Sequence, residues 1–151
     1  TEVSYDSSPP DPRGVPLGTH ARYLEEAFYL LWRQGVDTIT WFQIRDQLPQ
    51  PSYAASVQSG IYFADGRAKI ARRAFAFPLV AERAGATKVR VWGRAPIVGS
   101  LRIERRAGTR WVLVRKLRVK RHATFLVRIA GQRPALRARM GNQTSLTWRV
   151  R

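Results

Sequence analysis

Residues 19–46, THARYLEEAFYLLWRQGVDTITWFQIRD, decide how the first half of the chain is read. Tyr23, Leu24, Ala27, Phe28, Leu30 and Leu31 recur at helical spacing, with Arg22, Glu25, Glu26 and Arg33 on the other side. The spacing predicts a helix from Thr19 to Gln34, with Thr19 as N-cap and Gly35 in the left-handed position past its end. Directly after Gly35, Val36, Ile39, Trp41, Phe42 and Ile44 make a β-rich stretch, too short and too β-branched to prefer helix. A helix that gives way to a buried strand after so short a turn is what a βαβ unit produces.

Outward from this pair the pattern continues. Upstream, TEVSYDSSPPDPRGVPLG carries Pro9, Pro10, Pro12 and Pro16, which exclude helix and central strand; a short strand end followed by a long loop is expected. Downstream, QLPQPSYAASVQSG reads as loop. SGIYFADGRAKIARRAFAFP then gives an extended piece, an Asp65-Gly66 turn and an amphipathic helix from about Ala68 to Phe75, closed by Pro78.

Charge divides the chain near residue 84. Residues 1–83 hold nine Lys or Arg and nine Asp or Glu; residues 84–151 hold eighteen basic residues and one acid, Glu104, and so carry the whole net charge of +17. Six segments in this second part, KVRVWGRA, SLRIERRA, RWVLVRKLRV, TFLVRIAG, ALRARMGN and SLTWRVR, mostly alternate apolar with basic residues between turn signals. They predict an antiparallel β-sandwich. The expected fold class is therefore α/β plus all-β, with domains at 1–83 and 84–151.

Composition narrows the chemistry. There is no cysteine and there are two histidines, so a disulfide scaffold, a Cys-ligated zinc site and a multi-His metal cage are not expected. His20, at the helix start, reads as a surface residue without a role. Ala27–Trp32, the longest apolar run of the predicted helix, is far shorter than the ~20 residues of a membrane span. No GxGxxG, P-loop, HExxH or GxSxG pattern occurs, and no cofactor is expected.

The order strand end, loop, helix, strand, long loop, helix resembles the last quarter of a (β/α)8 barrel. Thr1-Glu2, Trp41 within TITWFQIRD, and the closing SGIYFADGRAKIARRAF resemble the C-terminal part of retaining, cellulase-like glycoside hydrolases of the barrel clan, over about residues 1–83. A small β-sandwich after the barrel also fits that group. The resemblance implies a secreted or cell-wall-associated enzyme acting on O-glycosidic bonds of poly- or oligosaccharides. It implies Glu2 as nucleophile and Trp41 as the floor of the sugar subsite, with Tyr5, Asp46 and Tyr53 as further substrate contacts. By residue type alone, Trp41 reads equally as core.

The acid/base glutamate of that group belongs to a strand for which no counterpart exists here. Retaining hydrolysis needs two carboxyl groups ~5–5.5 Å apart. The chain, which starts at Thr1 and not at a methionine, is accordingly read as a C-terminal fragment, inactive without the upstream barrel segment. The alternative is a binding protein whose basic sandwich holds a polyanion, nucleic acid or an acidic polymer. For the accessory-domain reading, only weak, non-specific polyanion binding is expected. What separates the two is whether the arginines spread evenly or converge on one face.

Overall fold

The computed structural model describes residues 2–131 and 134–150; Thr1 lies outside them. Among these residues the chain is mostly β, with two α-helices and many short strands, and it divides into two compact units, Thr1–Phe75 and Ala76–Arg151.

In the first unit, β1 (Glu2–Val3) and β4 (Thr40–Trp41) pair in parallel, Glu2 opposite Thr40 and Val3 opposite Trp41. Helix α1 (Leu17–Arg33) lies between them in sequence. The wider parallel sheet of a barrel portion is not shown: β1 and β4 form a two-stranded sheet, and of the expected strand Thr40–Trp41 pairs with β1 while Arg45 makes a separate bridge to Tyr62. The proline-rich opening is more ordered than a plain loop. β2 (Ser7–Ser8) and β3 (Val15–Pro16) pair in parallel, and Asp11 between them is buried, accepting a hydrogen bond from the Arg13 backbone N–H at 2.8 Å. This pairing delivers the chain to helical geometry at Leu17, so Pro16 and not Thr19 is the N-cap. Gly35 does take the left-handed conformation, with φ of 83°.

The buried face of α1 is turned from the expected stripe. His20, Ala21, Leu24, Glu25 and Tyr29 are buried, whereas Tyr23 and Leu30 are exposed. Spacings of one and four residues line this face up along one side of the helix. Helix α2 (Ala71–Ala76) begins three residues later than expected, because residues 67–69 are spent on backbone pairing.

Among its described residues the second unit forms two antiparallel sheets. One has the order β5 (Leu79–Arg83), β6 (Lys88–Arg94), β9 (Thr124–Ala130). The other has the order β11 (Gln143–Thr144), β10 (Ala135–Met140), β7 (Gly99–Ala107), β8 (Arg110–Val119), with β12 (Trp148–Arg149) also on β10. The buried residues Val89, Val91, Leu101, Ile103, Phe125, Ile129, Leu136, Ala138 and Met140 come from alternate strand positions of both sheets. The Trp148 indole N–H ties them, donating to the Ala81 carbonyl at 2.6 Å. β5 begins before the charge boundary at residue 84, so the division of the fold falls at residue 75/76. Charge marks how a strand's outer face is decorated; backbone pairing decides where the strand belongs.

Candidate functional site

Two neighbouring features of the first unit gather its polar residues. The first is the face of the β1–β4 pair turned away from α1. Along paired strands, side chains alternate between faces. Trp41 takes the helix side: it is buried, its ring lies 5.6 Å from His20 and 6.3 Å from Phe28, and its Nε1–H donates to the Ser59 carbonyl at 2.8 Å. Glu2 and Thr40, in register on the other face, are exposed, as are Phe42 and Ile44 further along the same stretch. The Ser59 hydroxyl donates to the Phe42 carbonyl and holds this exit from the strand against the 57–60 segment. Phe42, not among the expected contacts, is thus presented to solvent next to Trp41, the expected sugar platform, which is buried. Tyr5 is exposed, with its ring 4.9 Å from Tyr23 and 6.3 Å from Trp41. Tyr53 is half-buried at the start of a 3₁₀ turn, Tyr53–Ala55.

The second feature is a buried ionic cluster. Arg45 bridges to Tyr62, and Tyr62 to Ala68, so three extended segments run side by side and bring the residues just after two of them, Asp46 and Lys69, together. The Lys69 backbone N–H donates to the Ile61 carbonyl at 3.0 Å, which fixes where its side chain starts. Its Nζ then donates to Asp46 Oδ1 at 2.6 Å, Ser7 Oγ at 2.8 Å and the Gln58 carbonyl at 2.9 Å. Three acceptors match the three N–H bonds of an ammonium. Both charged side chains are wholly shielded from solvent. Asp46 Oδ1 also accepts from the Gly60 N–H at 2.9 Å, and Asp6 Oδ1 accepts from the Gln58 N–H at 2.8 Å.

Burial dominates the electrostatics of this cluster. It pushes the Asp46 carboxyl upward, against the opposing pull of the Lys69 ammonium, and pushes Lys69 downward, against Asp46. Each partner therefore opposes the desolvation of the other. His20, expected at the surface, is fully buried. Desolvation, and then the positive charge of Lys69, lower its pKa from 6.5 to about 4, while the Ser59 backbone pulls weakly the other way. The imidazole is neutral at pH 7. Among the described residues, neither of its ring nitrogens has a hydrogen-bond partner, and Asp46 Oδ2 and Gln58 Oε1 are likewise unpartnered.

The structure brings Glu2 close to Thr40 in register and places Trp41 and Asp46 inward. Asp46 holds three chain segments together through Lys69 and Gly60. Sequence reasoning missed Ser7, His20, Gln58 and Lys69. Lys69 carried a usable signal, a lone Lys beside Ile70 and Ala71 at the entry to a short amphipathic helix, but its acceptors come from segments 11 to 62 residues away. No group of three or more His, Cys, Asp or Glu able to hold a metal occurs among the described residues. No helix described is long and apolar enough to cross a membrane. Comparison with known protein families, with curated proteins and with solved structures finds no match to this chain.

Proposed function

We propose that the first unit is the C-terminal part of a retaining glycoside hydrolase barrel, with Glu2 as its nucleophile, and that the β-sheet unit is its accessory domain. The observation that carries this reading is the parallel register of β1 with β4 across helix α1, which sets Glu2 beside Thr40 on an uncovered face. Parallel sheets are covered on both faces in folded proteins. A two-stranded parallel pair with Glu2, Thr40, Phe42 and Ile44 exposed is accounted for if further strands of a barrel close over that side.

In this reading the Glu2 carboxylate attacks the anomeric carbon as the glycosidic C–O bond breaks, and a carboxylic acid from an upstream strand delivers its proton to the leaving oxygen. Water then cleaves the glycosyl ester, its proton returning to that same acid/base group. Phe42 and Tyr5 are the exposed rings available to pack on the sugar. Asp46 and Lys69 hold the strand exit in place from beneath. The substrate is a poly- or oligosaccharide, encountered outside the cell or at its wall.

The test uses a polypeptide extended upstream of Thr1 so that the remaining βα units are present. An activated fluorosugar that traps the glycosyl ester should label the peptide carrying Glu2, and Glu2→Gln should lower kcat by ~10⁴-fold or more. The 151-residue chain alone should turn over no aryl glycoside. Labelling of a different carboxylate, or turnover by the short chain that Glu2→Gln abolishes, refutes the reading.

A further inference from the structure

We propose that the outer face of the β10–β7–β8 sheet is a binding site for an acidic polysaccharide, a chain bearing sulfate or carboxylate groups. The strand registers place Arg139 directly opposite Arg102, and Arg102 directly opposite Lys116, so one rung of the sheet carries three cations across three strands. Neighbouring strands are ~4.8 Å apart, and like charges directly opposite one another destabilise a sheet. Two residues along, Arg118 stands opposite Ser100 and extends the positive row.

Little in the protein offsets this charge. Glu104 is engaged by Arg137 at 2.7 Å and lies 3.7 Å from Arg102. Among the described residues, no carboxylate is within ion-pair distance of Lys116 or Arg139. The rung is also not flat. Ser100, Arg102, Lys116, Arg139 and Gly141 line an open hollow of about 460 Å³, a volume typical of small-molecule sites. Gly141 adds no side chain to fill it, and Ser100 offers a hydroxyl. Guanidinium forks and an ammonium around one hollow suit the oxygen triads of sulfates and the oxygen pairs of carboxylates.

The choice of polymer follows from what the site lacks. Single-stranded nucleic acid is held by aromatic platforms on which bases stack. The hollow has no aromatic in its lining, and Trp111, on β8 of the same sheet, carries the Arg137 guanidinium at 4.3 Å and that of Arg106 at 5.7 Å. A duplex is a stiff cylinder that needs phosphate contacts spread over a wide surface. A narrow polysaccharide chain, by contrast, can lay one or two charged sugars into a single hollow. This inference is independent of the role proposed for Glu2.

The experiment measures binding of the whole chain at about 150 mM salt, where long-range attraction is largely screened. The probes are a heparin octasaccharide, a polygalacturonate oligomer of equal length, a DNA duplex and a single-stranded RNA homopolymer. One of the two oligosaccharides should bind more tightly than either nucleic acid; which one it is distinguishes sulfate from carboxylate recognition. The triple variant R102Q/K116Q/R139Q should lose about 100-fold or more in affinity, since each charge-assisted contact is worth more than a factor of ten. R83Q/R94Q/R128Q, with the same charge change on the other sheet, should lose about threefold at most. The exposed single changes K116Q and R139Q, each lowering affinity with an unaltered melt, guard against a folding defect in the triple variant. Equal losses from both triples, tighter binding of nucleic acid, or no oligosaccharide binding at this salt concentration overturns the proposal.

Discussion

Replacing His20 tests the burial and electrostatics of the ionic cluster at once. The imidazole is fully buried, 5.6 Å from the Trp41 ring, with its pKa lowered from 6.5 to about 4 by desolvation and by Lys69. A basic group whose folded pKa lies below its unfolded value binds its proton more readily in the unfolded chain. Its contribution is therefore complete above pH 6.5, is lost progressively as pH falls toward 4, and changes no further below that. A shift of this size corresponds to about 3 kcal/mol. His20→Phe keeps an aromatic ring against Trp41 but cannot take up a proton. Urea unfolding from pH 8 to 3.5 should show the stability of the wild type, relative to His20→Phe, declining by about 3 kcal/mol across that window. The chain has only two histidines, and His122 is exposed, so two imidazole NMR signals suffice to follow the site directly. The signal missing from His20→Phe should titrate near pH 4. A difference in stability that stays flat with pH, or a His20 signal that titrates at 6.5 or above, refutes the assignment of a desolvated neutral imidazole beside Lys69.

Lys69→Met removes three hydrogen bonds and strands the buried Asp46 charge, and should cost about 3–5 kcal/mol in denaturant unfolding; adding Asp46→Asn should recover part of it, and a loss below about 1 kcal/mol would contradict the buried pair. Gly93→Ala places a methyl group against the Phe125 ring and 2.6 Å from the Pro78 carbonyl oxygen, so it should destabilise the β-sheet unit by about 3 kcal/mol, relieved only in part by Phe125→Leu because the carbonyl stays in place.

The second unit was the more legible half. Five of its six expected segments pair over most of their length, because each strand's alternation of apolar and basic residues states which side is buried before any partner is known. The last segment, SLTWRVR, pairs only at Trp148–Arg149, and β5 was hidden by the helix signal running into it. Helix α1 and its Gly35 stop were likewise visible as local signals, though not the rotation that buries His20 and Glu25.

Periodicity, turn chemistry and charge balance are local properties, and from them the chain's own residues establish a helix, a following extended segment, a run of antiparallel strands and a cationic second half. Register and convergence are not local. Whether Trp41 faces the helix or the solvent depends on the pairing of β4 with β1, 38 residues away in register. The alignment of Arg139, Arg102 and Lys116 in one rung depends on which strands become neighbours, and the Lys69–Asp46 contact on three segments meeting side by side. Each of these contacts closes a long loop at an entropic cost that only the assembled core offsets, so no short window of sequence contains the information that selects it.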